Sequence, residues 1–184
     1  TATFLVEIIE VIFNYLKNKW SNTQGKNMPR ITTPLFDIKT STFKDYWNAY
    51  VPQCLLPRLY GYELMMAPYI IAHMKIGLKL SEINVRLGQP DYQFEYKSRA
   101  HIYLTNSLEP PSDKGQQSIA GLFPALAHEA EAVNVVKAKK RFMVIIGNPP
   151  YSGHSANFGE WITKLVDDYY FVDGSPLGEK NPKW

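Results

Sequence analysis

The chain has 184 residues, 45% of them hydrophobic and 20% charged, with a formal net charge of +3. That is about one domain's worth of ordinary globular composition. It holds no apolar stretch of membrane-spanning length, and its charge is too small to announce nucleic acid unaided. Glu7 and Glu10 interrupt the early apolar pattern, so the first residues do not read as a secretory signal. Cys54, the single cysteine, has no disulfide partner within the chain, which makes a reducing cytoplasm the default location.

In chain order, Leu5, Ile8, Ile9, Ile12, Phe13 and Leu16 recur at helical spacing and predict an amphipathic helix starting almost at residue 1. Residues 21–41, with Gly25, Pro29 and Pro34, read as a long inserted connection. A short helix is expected from Thr42 to Tyr50, then a strand over Arg58 to Glu63. The next helix is expected from Met65 to Leu80, with Ala67, Ile71, Met74 and Leu78 on one face, followed by a second loop insertion over 81–98. His101 to Leu104 reads as a strand ending at Thr105-Asn106-Ser107-Leu108. Ile119, Leu122, Phe123, Leu126, Ala130 and Val133 mark a long helix leading to the apolar run Phe142 to Ile146. A last helix is expected between Phe158 and Tyr170, and residues 171–184 read as an irregular tail.

The run at Phe142 reads as a strand buried on both faces, as in the middle of a parallel sheet. Strand, helix, strand, helix, strand with right-handed crossovers predicts an α/β fold: a doubly wound, Rossmann-like sheet with helices on both faces and ligands at the carboxyl ends of its strands. At this strand's end stands Gly147-Asn148-Pro149-Pro150-Tyr151. Gly147 permits a sharp turn or a close approach to a ligand, and the two prolines hold the backbone nearly rigid. The Asn148 side-chain oxygen and the Pro149 carbonyl then form a fixed pair of acceptors beside the Tyr151 ring, suited to a planar group carrying an NH2. The plainer reading is a proline-rich turn after a buried strand.

This tetrapeptide after a strand resembles the signature of amino-group methyltransferases that use S-adenosylmethionine. Leu59-Tyr60-Gly61-Tyr62-Glu63-Leu64, with Tyr103-Leu104-Thr105-Asn106 and Asn148-Pro149-Pro150-Tyr151-Ser152-Gly153, is most similar to the methylase part of large single-chain restriction-modification enzymes of the Type ISP kind. The resemblance implies an adenine-specific DNA methyltransferase, with Asn148, Pro149, Pro150 and Tyr151 catalytic and double-stranded DNA carrying a flipped adenine as partner. It implies cofactor contacts from Thr1 and Thr3, the last of a glycine-rich loop; from Glu63, holding the ribose, with Leu64 beside it; and from Asn106, at the adenine of the cofactor, with Leu108. The family usually has Asp where Asn106 stands. From position alone, Glu63 is equally a solvated loop carboxylate and Asn106 equally a turn-former.

Residues 1–184 are thus expected to be a partial methyltransferase domain, truncated at both ends, whose parent polypeptide carries nuclease, helicase and target-recognition regions. No metal site is expected: His128-Glu129 lacks the second histidine of a zinc-protease helix. His73 reads as a packing residue and Cys54 as a small buried hydrophobe. Lys137, Lys139, Lys140 and Arg141 read as cations favouring a helix C-terminus or, less simply, as phosphate contacts. Two other classes stay open: a methyltransferase of another planar amine, in an RNA base or a glutamine, and a non-catalytic DNA-contacting scaffold.

Overall fold

The computed structural model describes residues 2–31, 42–94, 99–111, 124–148 and 160–176. It falls into two units, Thr1–Leu104 and Thr105–Trp184. The first contains α1 (Thr3–Thr23), α2 (Phe43–Tyr50), β1 (Tyr60–Glu63), α3 (Met66–Arg86) and β2 (His101–Leu104). The second contains α4 (Pro124–Lys139), α5 (Glu160–Asp167), β3 (Phe171–Val172) and β4 (Ser175–Pro176). This is a mixed helical arrangement with a small parallel sheet, compatible with an α/β fold.

β1 and β2 pair in parallel, with Tyr60 opposite His101 and Glu63 opposite Leu104, and α3 lies between them in sequence. Alternation gives the pair two unlike faces. Tyr60, Tyr62, His101 and Tyr103 share one, where the Tyr60 and His101 rings stack 4.8 Å apart. Gly61 and Ile102 share the other. A Cβ on Gly61 would come within 2.7 Å of Ile102 Cδ1 and 3.0 Å of Leu5 Cδ1, so glycine lets α1 settle closely on the strand.

The expected stripe of α1 is inward: Ile9, Phe13 and Leu16 are buried. The helix continues to Thr23, past the expected start of the connection. α2 begins at a capping box in which the Asp45 N–H donates to the Thr42 hydroxyl and the Thr42 N–H donates to the Asp45 carboxylate. Its Trp47 packs edge-on against Phe13, with ring centroids 5.1 Å apart. Pro52 and Pro57 lack the N–H an α-helix needs, and the chain passes through a π turn (Val51–Leu55) and a 3-10 turn (Leu56–Arg58) into β1. Arg58 therefore belongs to a turn and not to the expected strand.

α3 corrects the expectation twice. It runs on to Arg86, because Ile83 extends the buried stripe Ala72, Ile76, Leu80, and Asn84 turns inward beside it. Its Asn84 side chain donates to the Pro90 carbonyl at 3.3 Å. The apolar face read from the sequence is the outer one: Ile71, Met74 and Leu78 are exposed, and the buried stripe is a second face that this reading does not name.

The run from Phe142 to Ile146 forms no strand, and Met143, Val144, Ile145 and Ile146 are all exposed. This overturns the expectation of a doubly buried strand. Apolar side chains alone do not make a strand; a neighbouring backbone must complete the ladder, and the parallel sheet described here has only β1 and β2. Gly147 is not in a left-handed conformation, and a Cβ there would meet nothing within 4 Å, so no protein neighbour among the described residues requires glycine at this position. α4 starts at Pro124; Ile119, Leu122 and Phe123 lie outside the described residues. In the expected irregular tail, β3 and β4 form a hairpin whose turn residues Asp173 and Gly174 have φ of 52° and 76°, the tight turn that suits strand twist.

Candidate functional site

In the first unit, Glu63 ends β1 level with Leu104, so its carboxylate stands at the carboxyl end of a parallel strand pair. It is half-buried, whereas the neighbouring Leu64 is exposed. Thr3 opens α1 and is exposed. That helix begins without a side-chain cap and without an acidic residue in its first turn, and Ala2 before it holds φ 54°, a left-handed value that favours glycine. Its first N–H groups and the positive end of its dipole thus receive no side-chain anion from its own first turn.

In the second unit, Asn106 organises the turn that follows β2. Its Oδ1 accepts the Leu108 N–H at 3.0 Å, and its Nδ2 donates to Glu109 Oε1 at 3.1 Å. This is the side-chain turn-forming role weighed for it, and the carbonyl oxygen keeps a second lone pair for another donor. Asn106 and Leu108 are both half-buried and brought together by that bond.

Lys137 completes the turn, a role that neither sequence reading of it named. From α4 its ammonium donates to the Asn106 carbonyl at 2.6 Å and to the Glu109 carbonyl at 3.1 Å, clamping both ends of the turn. Burial pulls its pKa below the ordinary lysine value, partly opposed by the Glu109 charge. The available signal was spacing: Lys137 follows buried Val133 by one helical turn and adjoins buried Val136. In the structure it acts as a clamp on the turn.

Asn148 is exposed; Pro149, Pro150, Tyr151 and Thr1 lie outside the described residues. The secondary candidates follow their plainer readings. His73 packs edge-on against Tyr69, with ring centroids 4.8 Å apart. Cys54 is buried, its thiol facing the Arg30 carbonyl at 3.8 Å. No family model matches this chain, and no curated protein or solved structure matches it.

Proposed function

We propose that this chain is part of the catalytic domain of an S-adenosylmethionine-dependent methyltransferase acting on the exocyclic amine of an adenine flipped out of duplex DNA, within a larger restriction-modification polypeptide. The observation that carries the reading is Asn148-Pro149-Pro150-Tyr151 directly after an apolar run. The parallel pair β1–β2 with α3 between its strands supports it, being the unit from which a doubly wound sheet is built.

The residues present suit the cofactor. In this reading each unit contributes separately: in the first, the Glu63 carboxylate would accept ribose hydroxyls and the start of α1 at Thr3, which has no side-chain cap, would receive a carboxylate; in the second, the remaining lone pair of Asn106 Oδ1 would accept an adenine N–H. Leu64 and Leu108 offer apolar contact beside these groups. S-adenosylmethionine supplies an electrophilic methyl group when bound. Asn148 and the Pro149 carbonyl accept the two N–H groups of the target amine, favouring a localised lone pair on a nitrogen otherwise conjugated with its ring. Fixed acceptors also orient the amine, so catalysis rests on positioning and electrostatics without a strong base. Tyr151 supplies a stacking surface for a base that has left the helix, worth ~1–3 kcal/mol.

Transfer of tritiated methyl by the full-length protein to duplex DNA, RNA and glutamine-bearing peptides tests the reading. Label in DNA adenine is the expected result. Label in RNA or peptide alone moves the reading to another planar amine, and no label in any substrate leaves a non-catalytic scaffold.

A further inference from the structure

α3 is apolar on two opposite faces. Ala72, Ile76, Leu80 and Ile83 point into the core. At about 100° per residue, Ile71, Met74, Leu78 and Val85 fall on the far side, where they are 43%, 59%, 67% and 61% exposed. With Ala67 they repeat in alternating steps of four and three, broken only at Ser81. A solvated helix face is polar; this is the spacing of a helix-pairing seam. Along it, between α1 and α3, runs a groove of about 310 Å³ lined by Leu78 and by two acids and two bases, Glu7, Glu82, Lys75 and Lys79.

We propose that this face of α3 is a two-fold interface with a second copy of the chain. The charges choose the occupant. A nucleic acid or an anionic membrane gains little from a groove whose two lysines are matched by two glutamates. Lys75 and Glu82, both exposed, are seven residues apart and so flank the same side of the seam with opposite sign. An antiparallel crossing centred on Leu78 reverses that order, which brings Lys75 within one residue of the partner's Glu82, twice over by symmetry. The same crossing sets Leu78 beside the partner's Leu78, next to the groove, and Ile71 beside the partner's Val85. The seam is thereby self-complementary in both shape and charge.

Sedimentation equilibrium on the full-length protein and on this chain tests the proposal. A concentration-dependent dimer is expected, weakened about tenfold or more by Leu78→Glu, a charge placed at the centre of the seam. Lys75→Glu should weaken it through repulsion, and adding Glu82→Lys should restore it. Under oxidation, Leu78→Cys should cross-link with itself and Val85→Cys should not, whereas Ile71→Cys with Val85→Cys should; the native thiol of Cys54 is buried. Thermal melts verify that each variant folds, and the charge-reversal pair decides the matter if Leu78→Glu does not. A monomer at every soluble concentration, a dimer indifferent to Leu78→Glu, or failure of Leu78→Cys to cross-link overturns the two-fold interface. A one-to-one complex of this face with another region of the parent polypeptide does so too.

Discussion

Ile102 and Ile145 are the same side chain in opposite circumstances, 1% and 86% exposed. The first sits in a four-residue strand with polar and aromatic neighbours; the second sits in an unbroken apolar run. Only the first has a parallel partner strand, a glycine opposite and a helix packed above it. What separates the two regions is the availability of a neighbour, not hydrophobicity. A strand gains stability from its ladder and from the face it covers, and neither is a property of its own residues.

The largest effect expected from this contrast is at Ile102. Truncation to Ala opens a cavity between β2, Gly61 and Leu5 and should cost about 2–5 kcal/mol, read as a fall in denaturant midpoint with an unchanged slope. A loss under about 1 kcal/mol would mean that the first unit is not the packed core described.

How much of this was legible in the sequence differs between elements for the same reason. α1, α2 and β2 each carry one apolar face or one short run bounded by turn residues, so periodicity points to a single solution. α3 has two apolar faces, and its outer one has the more regular spacing, so the pattern picked out the exposed face and left the buried one unnamed. Its last turns were read as loop because Ser81, Glu82, Asn84 and Arg86 are polar. Yet Glu82 pairs with Lys79, and Arg86 grips Glu10 of α1, which is how polar residues belong to a helix. At the candidate site, the acidic end of β1 and the turn at Asn106 were legible because strand ends are punctuated by such residues. Lys137 was not, since its partners are two backbone carbonyls distant in sequence, and backbone acceptors leave no mark on composition.

The second region is tested by chemistry. Under the proposed function, Asn148→Ala in the full-length protein would remove one of two amine acceptors, and methyl transfer should fall by roughly two orders of magnitude, about 2.7 kcal/mol of barrier. Cofactor affinity, measured by calorimetry, should change far less. Equal losses in both would assign Asn148 to folding and remove it from the catalytic group.

A smaller effect belongs to the junction of α1 and α3. Glu10 accepts from Arg86 Nη1 at 2.9 Å and Nη2 at 2.6 Å, and lies 3.0 Å from Lys79 Nζ. The Arg86 hydrogen bond, with help from Lys79 and Asn14 and against the cost of burial, lowers its pKa from 4.5 to about 2. A depressed carboxylate favours the fold while ionised, so its contribution is complete above the unfolded value and is lost as pH falls from about 4.5 through about 2. The group is partly solvated, so the contribution is about 1 kcal/mol and not that of a dry ion pair. Glu10→Gln should flatten the stability profile across that window, followed by chemical unfolding at a series of pH values. An unchanged slope would show that the pair with Arg86 does not hold in solution.

The smallest expected effect returns to the contrast. Ile145 touches too little to lose much, so Ile145→Ala in this 184-residue chain should shift stability by no more than about 0.5 kcal/mol. The same substitution in the full-length protein asks whether a neighbouring strand is supplied there. If the run is then buried on both faces, the cost rises to about 2–5 kcal/mol, because the side chain acquires the surroundings that Ile102 already has. The difference between the two measurements isolates what the partner strand contributes, since the residue and its sequence neighbours are identical in both. Equal small values would leave Phe142 to Ile146 an exposed segment, and the approach to Asn148 would then have to be ordered by its prolines alone.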